Sequence, residues 1–590
     1  MLRIATRSMA CLFVLGMVVL PPAAGLDTAT RLVSPVMEWT AADLERFDEA
    51  WLHVKFVEGS NVVTDGIAFG DEPPVGSALD LTAVNACLAA EDVQIVRRTF
   101  AHSRALLREW KARGEMRSRE TGPDLSLWFD VRVGGGRDAV ARLVNELNAC
   151  PHVEIAHPVA IPEPAGFFET SDDAYRNASA SGGERLPTPD FSNQQGYLYD
   201  TPLGLDAPAA WAEPGGKGAE VKFVDVELCW TVDHEDFAGS GPFYIGGAGM
   251  NPSYEYHGTP VLGEVIGQHN GYGVSGFAPE VEFGVVAVTL GEWPYVPHYF
   301  QEAVDQLDAG DVWLIELQMY PSGFDATPME WLQVNYDVIW TSSWSLGIIC
   351  IEPAANGSQD LDDPAWGGIF DRNQRDSGAI MVAAGLPYSL TAEWFTNYGS
   401  RIDVHAWGSA IVSTGGGDLY SGGTPQTRYT GSFGGTSGAS PMVAGSVAAL
   451  QGIVKANQPE PYTPLEMRTL LKETGTPHVD PDQEIGPRPN LAAAVAELPL
   501  FSSIEESRQP VSRWIQFANP YRPSSEMRLL FPLGGEITAS TGSAGIAGSA
   551  GNAGYAGIAG NGAARLAVFD AGGRHLRTLW SGPATADPPS

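Results

Sequence analysis

The chain has 590 residues, too many for one hydrophobic core, and its length predicts three or four domains. Acidic residues outnumber lysine and arginine 71 to 35, giving a net charge of −36, which excludes a nucleic-acid-binding role because phosphates require a basic surface. The five cysteines match no zinc spacing and are too few for a disulfide framework.

Residues 1–25 carry Arg3 and Arg7, an apolar run over 10–20, and then Pro21-Pro22-Ala23-Ala24-Gly25. These are the three regions of a secretory signal peptide, with cleavage expected near Gly25. The apolar run is shorter than the roughly 20 residues that span a bilayer, and no later segment is long enough. The mature chain is therefore expected to be secreted and to have no membrane span.

Residues 26–164 read as a separate α+β unit. Strands are expected at His53-Val54-Lys55-Phe56-Val57, at Val93-Gln94-Ile95-Val96, over 125–133 and at Val153-Glu154-Ile155-Ala156. A basic helix is expected over 103–113, and a second over 138–149 with Val140, Leu143, Val144 and Leu147 on one face. Residues 165–190 form the expected linker and processing region, rich from 169 onward in Ser, Asp, Gly and Pro.

Three polar segments then punctuate residues 191–498. Val221-Lys222-Phe223-Val224-Asp225 reads as a short buried strand delivering a carboxylate at its end, and His257-Gly258-Thr259 opens an apolar helical stretch. Gly435-Thr436-Ser437-Gly438-Ala439-Ser440-Pro441 places Ser437 at the start of a buried helix. The unpaired N–H groups and dipole of a helix N-terminus favour the negative charge that a serine nucleophile generates. Taken singly, these segments also read as an ordinary turn, a helix-leading histidine and a capping serine. Aspartate, histidine and serine in this order are much harder to obtain by accident.

At these residues the chain resembles the subtilisin-like serine peptidases, from about 189 to 498. The resemblance implies a doubly wound α/β domain with a mostly parallel sheet, and Asp225, His257 and Ser437 as the catalytic triad. Glu352-Pro353-Ala354-Ala355-Asn356-Gly357 matches the family stretch that carries the oxyanion asparagine, here Asn356. Glu316, Leu317 and Gln318 by position form one wall of the peptide-binding cleft, and Ala355 lines the pocket before the scissile bond. Four departures stand out: Glu227 in place of a glycine two residues after Asp225, Pro260 in place of a histidine, Ala355 in place of a glycine, and the lack of Ser-Leu-Gly at Glu316-Leu317-Gln318.

The implied activity is cleavage of extracellular proteins and peptides by a serine endopeptidase through an acyl-enzyme. By the same resemblance, residues 26–164 are a propeptide that assists folding and inhibits the cleft. Two alternatives are a non-catalytic binding protein on this scaffold and a serine esterase, whose histidine would follow the serine at His478 or His575. No cofactor is required. Subtilisin-like enzymes often hold structural calcium in loops, and Gln359, Asp360, Asp362 and Asp363 offer hard oxygens close together, but such a run reads more commonly as a solvated acidic turn and no metal residue is assigned.

Residues 499–590 resemble, in part, the small β-sandwich modules at the C-terminus of secreted bacterial enzymes. Met527, Leu529 and Phe531 alternate as in a strand, and 565–574 predicts a strand followed by an Asp-Ala-Gly-Gly hairpin. The Ala-Gly-x repeat over 544–561 is expected to be a loop.

Overall fold

The computed structural model describes residues 32–72, 79–166, 187–237, 239, 241–289 and 295–498, together with backbone strands between 527 and 583. The expected signal peptide and most of the expected linker lie outside the described residues.

The N-terminal domain is built on Phe47–Phe56 (β1), Val62–Thr64 (β2), Phe69–Asp71 (β3), Val93–Arg98 (β4), Trp128–Val133 (β5) and Val153–Ala160 (β6). Helices cover Thr82–Ala90 (α1), Arg104–Ser118 (α2) and Gly136–Asn148 (α3). Four strands pair antiparallel in the order β4-β5-β1-β6. Alternation gives the sheet two buried faces. Leu52, Val54, Phe56, Phe129 and Val131 join Val140, Leu143, Val144 and Leu147 of α3 in one core, each side chain contributing about 1.5–3 kcal/mol by leaving water. The Ser103 hydroxyl caps α2 by accepting from Leu106 N–H.

The other sheet face presents His53, Lys55, Trp128, Asp130 and His157, all buried. It packs on two helices of the central domain, Val296–Val304 (α6 below) and Gln333–Trp340 (α7 below). Trp128 Nε1 donates to Asp337 at 2.9 Å, and His298 Nε2 lies 3.1 Å from Asp130. Lys55 pairs with Glu58 at 2.5 Å, with Glu154, and with Asp337 at 3.7 Å.

The central domain contains Ala207–Trp211 (α4), Lys222–Glu227 (β8), Tyr244–Gly247 (β9), Glu255–Ile266 (α5), Glu282–Ala287 (β10), α6, Val312–Ile315 (β11), Leu317–Gln318 (β12) and α7. It continues through Ile349–Pro353 (β13), Ile380–Gly385 (β14), Val404–Trp407 (β15), Ile411–Thr414 (β16), Tyr429–Phe433 (β17), Thr436–Asn457 (α8), Pro464–Thr474 (α9) and Leu491–Glu497 (α10). Ahead of it, Glu163–Pro164 forms a two-residue strand, β7.

Seven strands run parallel in the order β15-β14-β13-β11-β8-β10-β9, which agrees with the mostly parallel sheet that the resemblance implies. Successive residues feed opposite cores: Val224, Val226 and Trp313 pack toward α6 and α7, while Phe223, Leu314 and Ile351 pack with α5 and α8. Burial on both faces explains the nearly unbroken apolar runs of these strands. One expectation needs correction. The strand expected to stop at Asp225 continues to Glu227, because Val226 extends the alternation and pairs with Val286 and Ile315.

Residues 501–590 form a separate compact unit. Met527–Leu530 (β18) pairs antiparallel with Glu536–Ala539 (β19). Ala547–Ser549 (β20), Tyr555–Gly557 (β21), Ala563–Phe569 (β22) and His575–Pro583 (β23) form an antiparallel meander in chain order. The expected hairpin joins β22 to β23, its turn lying outside the described residues. The Ala-Gly-x segment is not a loop throughout: β20 and β21 fall within it, since backbone pairing needs no side chain.

Candidate active site

The carboxyl ends of the parallel strands and the N-terminus of α8 converge on one buried cleft, the usual position for a site in an open α/β sheet. Ser437 is the second residue of α8, and Gly435 before it takes φ 95°, a left-handed turn that glycine adopts without strain. Gly438 serves packing, since a Cβ there would collide with Ile411. The Ser437 hydroxyl is buried, next to the Glu316 carboxyl, and has no hydrogen bond within ordinary distance among the described residues. His257 lies in the first turn of α5, which packs against α8.

The carboxylate that meets His257 is Glu227. Both of its oxygens lie 2.7 Å from His257 Nδ1. Asp225, two residues earlier on the same strand face, instead accepts from Trp230 Nε1 at 2.7 Å, and its other oxygen has no hydrogen bond among the described residues. The expected Asp225–His257 pairing is therefore corrected to Glu227–His257, because β8 runs two residues farther and carries Glu227 to the helix end. The signal was present in Asp225-Val226-Glu227, whose alternation puts both acids on one face with Glu227 at the strand end.

All of these groups are buried. Burial pushes the His257 imidazole down to about 3, and it pushes Asp225 and Glu227 well above the ordinary carboxylate range, with Glu227 adding to the effect at Asp225.

A segment of the chain itself occupies the cleft. Pro164 and Glu163 of β7 pair antiparallel with Leu317 and Gln318 of β12, and Ala165 N–H donates to Glu316 O at 3.4 Å. The Ala165 carbonyl oxygen accepts from Asn356 Nδ2 at 2.6 Å and from Ser437 N–H at 3.1 Å. Gly166 then bridges to Gly435. Asn356 is itself fixed, its Oδ1 accepting from Thr436 N–H at 2.9 Å and its N–H donating to Gln318 Oε1 at 3.0 Å. Glu316, Leu317 and Gln318 thus all lie along the bound segment. Ala355 is buried beside Asn356 with φ 71°.

The arrangement sets two N–H donors on one carbonyl oxygen, next to a buried serine at a helix N-terminus and a histidine oriented by a carboxylate. This is the equipment for acyl transfer. Residues 336–488, which include Asn356 and Ser437, match the family model of the subtilase family. This is a subtilisin-like serine peptidase domain. The peptidase is similar to an intracellular serine protease of Paenibacillus polymyxa, 24% identical over 300 residues, 47% of this chain and 82% of that protein. Thermitase of Thermoactinomyces vulgaris is 29% identical over 271 residues, 44% of this chain and 84% of its own. An extracellular protease of Xanthomonas campestris pv. campestris is 46% identical over 322 residues, 48% of this chain and 51% of its own.

Among the described residues of the peptidase, no group of three His, Cys, Asp or Glu is arranged to hold a metal ion. In the acidic turn considered for calcium, Asp362 accepts from Ser400 and Asp363 caps Ala365 N–H. No helix among the described residues is long and apolar enough to cross a membrane.

Proposed function

We propose that the protein is a secreted serine endopeptidase made as a precursor, and that Ala165–Gly166 is the first bond it cleaves. The observation that carries this reading is the Ala165 carbonyl oxygen, held by Asn356 Nδ2 and Ser437 N–H in the position an oxyanion would take. Ser437 Oγ attacks the Ala165 carbonyl carbon while His257 takes its proton. Glu227 holds the imidazole by Nδ1 and stabilises the imidazolium that forms. The tetrahedral intermediate collapses, His257 returns the proton to the Gly166 nitrogen, and Ala165 remains as an acyl ester on Ser437. Water, deprotonated by His257, then releases the Ala165 carboxylate.

After cleavage, Glu163 and Pro164 retain their pairing with β12, and the N-terminal domain stays packed on α6 and α7 as an inhibitor. The same cleft acts on extracellular proteins once that domain leaves. Secretion is supported by the signal-like composition of residues 1–25. The test is whether the processed protein hydrolyses casein and is labelled at Ser437 by a fluorophosphonate. A folded, processed protein that does neither would contradict the reading.

A further inference from the structure

Glu316 brings a third buried carboxyl group into the site. It lies between β11 and β12, fully buried, with its N–H donating to Val226 O at 3.1 Å and its carbonyl facing Ala165 N–H. Its side chain turns under the first turn of α8, where Oε1 is 2.5 Å from the Ser440 hydroxyl. The same hydroxyl oxygen is 2.6 Å from Thr436 O.

A serine hydroxyl has one proton to give. Thr436 O can only accept, so at 2.6 Å the Ser440 proton must point at it. The 2.5 Å contact with Glu316 then needs a proton from the glutamate. The opposite assignment, with ionised Glu316 accepting from Ser440, leaves two oxygens 2.6 Å apart with no proton between them. The charged groups facing Glu316 are Asp225 and Glu227 on β8, with His257 beyond Glu227, and the neighbours from α8 are the hydroxyls of Ser437 and Ser440.

We propose that Glu316 acts as a neutral carboxylic acid, donating to Ser440 and through it to Thr436, and so positions the helix turn that carries Ser437 and its oxyanion-binding N–H. This rests on the proposed peptidase mechanism. Burial, reinforced by the charge of Asp225, pushes the Glu316 carboxyl well above the ordinary carboxylate range, in agreement with the proton count. Ionisation at alkaline pH removes the donor, frees Ser440 to swing away from Thr436, and places a negative charge beneath the developing oxyanion. Glu316 is a positioning residue, and its loss of a proton should lower kcat with little change in KM.

The experiment compares kcat and KM of the processed wild type and Glu316→Gln from pH 5 to 11 on a peptide with Pro-Ala before the scissile bond. The glutamine NH2 donates to Ser440 at every pH. Wild type should lose kcat above an alkaline limb at about one decade per pH unit. Glu316→Gln should keep neutral-pH kcat within about threefold and lack that limb, and Glu316→Ala should lose about tenfold or more at all pH values, about the weight of one hydrogen bond to a buried polar group. The same alkaline limb in wild type and Glu316→Gln, or a glutamine variant as impaired as the alanine one, overturns the proposal. A second readout needs no turnover: at neutral pH, the infrared difference between the unprocessed Ser437→Ala chain and the same chain with Glu316→Gln should contain one protonated carboxylic-acid carbonyl stretch, and any signal from Asp225 and Glu227 cancels in that difference. Absence of that band overturns the proton assignment even where the peptidase reading stands. A wild type with no activity but with the band would instead reject the mechanism and keep the proton assignment.

Discussion

Glu227 sets both carboxylate oxygens 2.7 Å from His257 Nδ1, while Asp225, on the same strand and face, is turned to Trp230. The longer glutamate side chain starts at the strand end and reaches back to the imidazole. Glu227→Gln keeps the shape but offers Nδ1 an amide that favours the wrong tautomer, and kcat should fall by about 10⁴. Asp225→Asn should cost less than about tenfold, since a neutral amide oxygen can still accept from Trp230. Parallel kcat/KM measurements on the two variants check this, and the reverse ranking would return the role to Asp225.

Much of the site was legible in the sequence, for reasons that also mark where reading stopped. Ser437 and Asn356 stand in short segments whose glycine turns and helix start are local signals. His257 opens a helix that is apolar along its length. The acid lies one alternation beyond the position the sequence suggests, because a strand end is fixed by its neighbours, here Val286 and Ile315, rather than by its own residues. The N-terminal strands and helices were legible from their periodicity. The burial of Lys55 and Asp130 was not, because Asp337 and His298, which meet them across the domain contact, lie more than 150 residues away in sequence. The occupancy of the cleft by Ala165 was equally hidden, since it depends on how two domains pack.

Asn356→Ala removes one of the two donors to the Ala165 carbonyl. It should lower kcat by about two to three orders of magnitude and leave KM nearly unchanged. Steady-state kinetics on a short peptide separate the two, and an effect confined to KM would make Asn356 a residue that positions substrate.

Ala165 is wholly buried, so the pocket that holds it closes around a methyl group. Ala355, with φ 71°, adds its own methyl beside Asn356 where glycine would leave room. Ala355→Gly should improve Phe over Ala at the residue before the scissile bond by roughly tenfold or more, given about 1–3 kcal/mol per methylene-sized change. It should also relieve left-handed strain of about 1 kcal/mol. Paired peptides differing only at that residue give the ratio, and an unchanged ratio would assign the pocket to Leu317 and Gln318.

His157 lies on the sheet face covered by the central domain, and burial, aided by the nearby His53, pushes its imidazole down to about 3. Exposed, the ring would titrate near 6.5. The closed form is therefore favoured fully above about pH 6.5 and loses up to about 1.4 kcal/mol per pH unit as the pH falls from there toward 3. After cleavage, the N-terminal domain should stay bound at pH 7.5 and separate more readily at pH 5 on size-exclusion chromatography. His157→Asn should flatten the dependence. Equal retention at both pH values in the parent protein would contradict it.

The central claim is that Ser437 cleaves the bond its own chain presents. It is tested most directly by the mass of the N-terminal fragment released when the full chain is expressed without other proteases. The account predicts a fragment whose last residue is Ala165 from the parent chain and none from Ser437→Ala. A fragment ending elsewhere, or the same fragment from Ser437→Ala, would contradict it.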